Sequence, residues 1–316
     1  MTENLKEPVV VLIMKLIRWP NLMIIAVAMT LAQYTIINPL LQYNELPLMR
    51  PLVFVLLTLS TVFIAAGGYV INDILDVKID LINKANKVIV GRKYALNLCW
   101  ELYWACTVTG VIFMLVACWY NKTIYLAVIA AFEAALLWFY SSLLKRLPII
   151  GNVCVSILCG LAILKPLLFH APAYPVGSIT FLIFGYVLFA FVLTLIRELV
   201  KTCQDVAGDS ANGAQTAAVL FGVTTTKYIA AFFIVIVTYG VGWFMWLQWQ
   251  SETFWSNDFI SFSYLTIFVQ APMLLLLYIT VSAKTIKQFS IASTLTKTIM
   301  VTGIFSMAVF YWVLFL

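Results

Sequence analysis

The sequence predicts an all-α, polytopic membrane protein, with nine transmembrane helices in a single domain over residues 1–316. Two observations predict it. The first is composition: 64% of the residues are hydrophobic and 10% are charged, against roughly 25% charged in a soluble domain, and the mean hydropathy is +1.02. The second is arrangement. The apolar residues fall into runs long enough to cross ~30 Å of hydrocarbon as helices, and no open sheet could satisfy its backbone there. No polar stretch is long enough for a separate soluble domain.

The runs cover about 9–37, 49–71, 95–118, 123–141, 149–169, 178–200, 226–248, 260–283 and 295–316. The first is too long for the core of a signal peptide and is expected to be a retained span. Arg18-Trp19-Pro20-Asn21 interrupts it, so its leading turn is expected at the interface. Lys and Arg placement sets the orientation. With the N-terminus in the cytoplasm, sixteen of the 19 Lys and Arg fall on that side, leaving Arg50, Lys122 and Lys165 on the other. Trp243, Trp246, Trp249 and Trp255 fit an interfacial aromatic belt, which also accounts for the loops carrying Glu45, Glu252 and Asp258.

Thirteen acidic residues serve the whole chain, and five of them form two groups. Asp73, Asp76 and Asp80 follow Gly67-Gly68-Tyr69 at spacings of three and four. If the helix continues, the three share one face. Asp205 and Asp209 stand four apart after the sixth run. Like charges on one face repel. A divalent cation relieves the repulsion, and hard carboxylate oxygens suit Mg2+. The two groups lie 132 positions apart, the spacing of a duplicated four-helix unit, and both end an even-numbered span on the cytoplasmic side. Two such groups facing each other could hold Mg2+ on a diphosphate. Lys145, Arg146, Lys87, Arg92, Arg197 and Lys201 are the nearby cations able to grip its oxygens. Tyr69 and Tyr140 are aromatic candidates beside the site. Glu133 is an intramembrane carboxylate and a functional candidate on that ground. The six cysteines make no C-x-x-C pair and are expected as small buried thiols. His170, the one histidine, is expected in a loop.

Asn72-Asp73-x-x-Asp76-x-x-x-Asp80 resembles the first aspartate-rich motif of the UbiA superfamily of intramembrane prenyltransferases. Asp205-x-x-x-Asp209 with Gly213, Thr216 and Phe221-Gly222 resembles the second. Tyr140-Ser141 to Lys145 with Gly151-Asn152 is similar to the family's fourth-to-fifth helix link, and Arg18-x-x-Asn21 to its first-helix signature. The resemblance implies nine helices around a central cavity and Mg2+-dependent transfer of a prenyl group from its diphosphate to a lipophilic acceptor. It implies Asn72, Asp73, Asp76, Asp205 and Asp209 at the metal–diphosphate, with Asp80 in a second rank, and Lys145 and Lys201 on phosphate. Arg197, Tyr140 and Asn21 complete the substrate-binding set.

Arg197-Glu198-x-x-Lys201 leading into the second motif looks most like the branch that geranylgeranylates geranylgeranylglyceryl phosphate in ether-lipid synthesis. Thr202 and Gln204 stand where that branch usually has Asp and Glu. The alternatives are an aromatic acceptor, a hydroxybenzoate or naphthoate of quinone synthesis, and, in another class, a membrane transporter. The partners expected are the prenyl diphosphate, its acceptor and membrane lipid, with no nucleic acid.

Overall fold

The computed structural model describes residues 8–83, 88–170, 177–250 and 258–315, with the backbone alone at 78–83. Its regular structure is helical; among the described residues the β content is one bridge, Val90 to Tyr94. A short helix α1 (Val9–Leu16) leads in. Nine helices long and apolar enough to cross a membrane follow among the described residues: α2 (Trp19–Tyr43), α3 (Pro51–Asn83), α4 (Leu96–Asn121), α5 (Ile124–Ser142), α6 (Ile150–Leu168), α7 (Gly177–Ala211), α8 (Val223–Gln250), α9 (Phe259–Ser282) and α10 (Ile286–Phe315). This is an integral, multi-pass membrane protein.

The expected interruption of the first run is a break between α1 and α2. Arg18 takes a left-handed φ of 52°, and Pro20 sits in the first turn of α2, where a missing N–H costs nothing. Three boundaries differ most from the sequence expectation. α3 and α7 do not stop at residues 71 and 200 but run on to Asn83 and Ala211. Beyond the apolar window each keeps a buried stripe. Ile74, Leu75 and Val77 pack beneath the end of α3, and Cys203 and Val206 beneath the end of α7. The 33 residues of α3 span ~50 Å at 1.5 Å per residue, well beyond the ~30 Å of hydrocarbon. Both acidic motifs therefore ride on helix beyond the apolar run. α10 begins nine residues earlier than expected. Thr285 and Gln288 form a capping box there, with Gln288 Oε1 accepting from the Thr285 N–H at 3.0 Å and the Gln288 N–H reaching Thr285 Oγ1 at 3.4 Å, the T-x-x-Q signature of a helix start.

The described residues sort into two compact units, one from Met1–Val27 and Met49–Leu144, the other from Ala28–Leu48 and Lys145–Leu316. In the first, α3 packs on α4 and α5. Gly67 and Gly68 allow the approach: a Cβ at Gly67 would stand 2.5 Å from Thr107 Oγ1, and one at Gly68 2.7 Å from Leu137 Cδ2. In the second, α7 is central, packed by α6, α8 and α10, with Leu193, Ile196, Met273 and Ile299 in the core.

Two π turns, Ala32–Ile37 and Thr266–Gln270, interrupt α2 and α9. Each lies just ahead of an interior proline, Pro39 and Pro272. A proline ring collides with the carbonyl four residues back, and widening the preceding turn relieves the collision without ending the helix.

Five of the six cysteines are buried and all are free thiols, as expected. Trp243, Trp246 and Trp249 lie exposed along α8, as a belt requires; Trp255, Glu252, Lys84 and Lys87 lie outside the described residues. Lys165, counted among the outer-side cations, is not at a water-facing surface: it is fully buried in the last turn of α6. His170 does follow the helix in a turn, but it too is buried. Its Nε2 lies 3.1 Å from Gln33 Nε2, and the same Gln33 nitrogen donates to Asn38 Oδ1 at 2.6 Å. An amide nitrogen can only donate, so His170 Nε2 accepts and the ring is neutral.

Burial pushes the His170 pKa down from 6.5 to about 4. A folded-state pKa below the unfolded one means that the unfolded chain binds the proton first. Stability contributed by neutral His170 is therefore complete above about pH 6.5 and is lost as pH falls toward about 4, by on the order of 2–3 kcal/mol. Thermal unfolding in detergent should show the melting temperature falling across that window, with the fall flattened in His170→Gln.

Candidate active site

The first motif sits on the polar extension of α3. Asp73 and Asp76 are separated by one helical turn, both half-buried, with Asn72 alongside. Asp73 Oδ1 accepts a hydrogen bond from Arg18 Nη2 at 2.8 Å. The guanidinium carbon of Arg18 stands 4.9 Å from the centre of the Tyr69 ring, one turn before Asp73 on the same helix. Asn21 is drawn into this corner by its N–H, which donates to the Arg18 carbonyl at 2.8 Å. Sequence reasoning used Arg18 as a break in the first run, as a cytoplasmic-side cation and as part of a signature, and did not place it at a carboxylate. The signal was available: an Arg stranded between an apolar run and Trp-Pro has no helical neighbour to pair with. The side chain of Asp80 lies outside the described residues, although its backbone continues α3.

The second motif is organised by a helix ending. α7 closes at Ala211 in a Schellman motif: the Gly213 N–H reaches the Ser210 carbonyl at 3.1 Å, and the Ala214 N–H reaches the Asp209 carbonyl at 3.0 Å. Gly213 takes the left-handed φ of 68° that this ending requires. The reversed chain brings back Thr216, whose hydroxyl donates to Asp209 Oδ2 at 3.0 Å. Thr216 is buried and precedes a helical turn, Ala217–Leu220, that its side chain does not cap. Asp209 is thus held at its carbonyl by the Asn212 and Ala214 N–H groups and at its carboxylate by Thr216. Asp205 stands one turn earlier, half-buried.

The link carrying Lys145 and Arg146 is joined to this ending. The Gln215 N–H donates to the Arg146 carbonyl at 2.9 Å. Lys145 is half-buried and Arg146 exposed. The link enters α6 through a tight γ-turn, with Ile149 at φ 64° and ψ −39° and the Ile150 N–H on the Pro148 carbonyl at 2.7 Å. A β-branched residue there costs about 1–3 kcal/mol; packing of Ile149 on the core of this unit offsets the strain. Arg197 Nη1 donates to Glu198 Oε1 at 2.7 Å, so one of the expected phosphate cations already holds a neighbouring carboxylate. Lys201, a turn beyond Arg197, is half-buried, as is Tyr140 near the end of α5. Glu133 is buried within α5.

Among the described residues, no three His, Cys, Asp or Glu side chains converge as a closed metal cage. Each motif offers instead a pair of oxygen donors one turn apart. Mg2+ commonly keeps several waters and binds one or two carboxylates together with substrate phosphates, so this donor set fits Mg2+ better than a metal demanding a closed cage. Asp209 also lies in the last turn of α7, where the partial negative charge of the helix end favours a cation.

The sequence pattern of the UbiA prenyltransferase family matches residues 21–267. The chain is similar to the digeranylgeranylglyceryl phosphate synthase of Sulfurisphaera tokodaii, 30% identical over 187 residues that cover 59% of this chain and 64% of that protein. It is 33% identical to the enzyme of the same name from Methanobrevibacter smithii over 187 residues, 58% of this chain and 63% of the relative. The chain therefore spans just under two thirds of the length of these curated relatives. Among solved structures, one described as a digeranylgeranylglyceryl phosphate synthase in membranes aligns with a TM-score of 0.63 at 23% identity, covering 96% of this chain and 98% of that one. A UbiA homologue from Archaeoglobus fulgidus bound to GPP and Mg2+ aligns at 0.61 and 14%, covering 94% and 99%. At these identities the structural likeness speaks for the fold.

Thr216→Val removes the hydroxyl on Asp209. Loss of a partner that orients a metal ligand typically weakens metal binding tenfold or more, so Mn2+ binding in the presence of pyrophosphate should fall about tenfold, whereas Thr216→Ser should hold it. Gly213→Ala should lower stability by about 1 kcal/mol, and Gly213→Asn by less, because Asn tolerates the left-handed region; chemical denaturation in mixed micelles checks the order.

Proposed function

The chain belongs to the UbiA prenyltransferase family, and from that premise we propose that it transfers a geranylgeranyl group from its diphosphate to the hydroxyl of geranylgeranylglyceryl phosphate, an ether-forming step of lipid synthesis. The observation that carries the reading is the pair of carboxylate motifs at the ends of α3 and α7, in a chain whose curated relatives bear the name of that synthase. The bias of Lys and Arg supports placing both motifs on the cytoplasmic side, where soluble diphosphates are.

On this reading Asp73, Asp76, Asp205 and Asp209 hold Mg2+ and, through it, the diphosphate, with Asn72 and Asp80 beside them. Mg2+ supplies charge neutralisation on the departing diphosphate. Lys145, Lys201 and Arg197 offer cationic donors to the phosphate oxygens, and Asn21 and Tyr140 complete the substrate contacts. Thr216 keeps Asp209 in one rotamer, so its oxygen needs no reorientation when the ligand arrives. The bond between C1 of the prenyl group and the diphosphate oxygen breaks with the electron pair leaving on diphosphate. The acceptor oxygen bonds to C1, and the hydroxyl proton is released. A phosphate-bearing acceptor, with up to two negative charges, also makes more use of the cations expected on the cytoplasmic side than a singly charged hydroxybenzoate would.

The test uses purified protein in liposomes with labelled geranylgeranyl diphosphate and, in parallel, geranylgeranylglyceryl phosphate or a hydroxybenzoate. The expected product is the diether phosphate, formed only with Mg2+. Asp73→Asn and Asp205→Asn should each lower turnover about a thousandfold, the several kcal/mol that a metal contributes to such a barrier. A prenylated aromatic ring as sole product would replace the acceptor assignment; solute flux without diphosphate release would replace the enzyme by a transporter.

A further inference from the structure

We propose that Arg18 sets the order of binding at the first motif: it shuts Asp73 to a bare divalent cation and opens it to a cation that arrives with a diphosphate. This rests on the reading above, in which Asp73 is a ligand of the metal–diphosphate, and adds a role for a residue outside that ligand set. Three observations carry it. The guanidinium of Arg18 is bound to Asp73 Oδ1 at 2.8 Å, so one oxygen of the carboxylate already faces a full positive charge. The same guanidinium lies against Tyr69 at 4.9 Å, a contact that holds the cation in place over an aromatic face. The backbone commits to the arrangement. Arg18 adopts φ 52° in the break between α1 and α2, pinned by its N–H to the Lys15 carbonyl at 3.1 Å and by the Asn21 N–H to its own carbonyl at 2.8 Å. A non-glycine residue in that region costs about 1–2 kcal/mol, and here it buys the pairing of a cation across 55 positions of sequence.

The consequence is electrostatic. A metal ion approaching Asp73 alone meets a fixed like charge within a few ångströms and competes with it for the same carboxylate. A diphosphate changes the balance. Its anionic oxygens are partners for the remaining N–H donors of Arg18, because a guanidinium carries five donors in a planar fork suited to phosphate. Arg18 can then turn from carboxylate to phosphate without losing a charged partner, and Asp73 is released to the metal. The carboxylate is never left unpaired in either state, which matters for a charge at the edge of hydrocarbon. The device favours the productive metal–substrate complex over a metal-filled, substrate-free site.

Equilibrium dialysis of Mn2+ against the detergent-solubilised protein tests this, with and without equal pyrophosphate in both chambers. Arg18→Gln should bind Mn2+ without pyrophosphate about tenfold more tightly than wild type, the low end of what one unit charge a few ångströms away does to an ionic equilibrium. The gain on adding pyrophosphate should shrink correspondingly. Arg18→Lys, which keeps the charge, should resemble wild type, and Tyr69→Leu, which only loosens the guanidinium, should move part of the way. If wild type takes up Mn2+ with pyrophosphate but Arg18→Gln and Tyr69→Leu gain nothing without it, the proposal is overturned while the metal site stands. If wild type binds no Mn2+ even with pyrophosphate, or Asp73→Asn binds it equally well, the site reading fails and the proposal with it.

Discussion

Hydrocarbon offers a peptide group no hydrogen-bond partner, and the whole architecture follows from that. Each span must close its own backbone, so each is a helix. A carboxylate pair cannot sit among lipid tails without heavy cost, so the paired carboxylates must stand beyond the apolar window. Extending α3 and α7 past their apolar runs reconciles the two demands. The same unbroken helix that satisfies its backbone in the apolar run carries its carboxylates beyond that run at fixed spacing, Asp73 and Asp76 on α3, Asp205 and Asp209 on α7. Side chains one turn apart on a continuous helix need no loop to position them.

The places where helices depart from regularity obey the same constraint. Pro39 and Pro272 would each break a span and leave a carbonyl bare. The chain instead widens one turn ahead of each proline and continues. Gln33, in the first of these turns, donates to both Asn38 and His170, which gathers polar atoms that lipid would otherwise strand. Breaks that do occur fall at polar edges, at Arg18 and at Gly213, and there the released groups are taken up by Lys15, Ser210 and Asp209 carbonyls.

Much of this was legible in the sequence. The nine runs correspond to the nine long apolar helices among the described residues, because hydrophobic length is a strong signal when the solvent is lipid. The acidic spacings and the break before Pro20 were equally plain. The lost information concerns helix ends. Hydropathy stops registering at Ile71 and Val200, while the helices persist on a narrow buried stripe through Ile74 and Cys203. The start of α10 was written in Thr285-x-x-Gln288, a capping signal that a hydropathy window averages away. Side-chain pairings were harder to read: Arg18 stood out as a stranded cation, but its partner 55 positions away did not, no spacing rule announces Thr216 on Asp209, and nothing around Lys165 signals its burial.

The two motifs look equivalent in sequence, yet the fold treats them differently. Asp209 receives a hydroxyl from the loop that caps its own helix, a restraint that orients the carboxylate. Asp73 receives a cation from a distant helix break, so its charge is answered as well as its orientation. A hydroxyl is a neutral donor; a guanidinium is a cation that competes with a metal for the oxygen it holds. The local restraint at α7 comes with the helix ending itself, since Gly213 and Thr216 lie within seven residues of Asp209. The restraint at α3 requires a strained residue, an aromatic support and a separate helix. A chain that needed two copies of one carboxylate pair could have used the cheaper restraint twice. On the proposal that Arg18 gates the first motif, the costlier restraint at Asp73 is the one that discriminates among arriving ligands, a task that orientation by a hydroxyl alone could not perform.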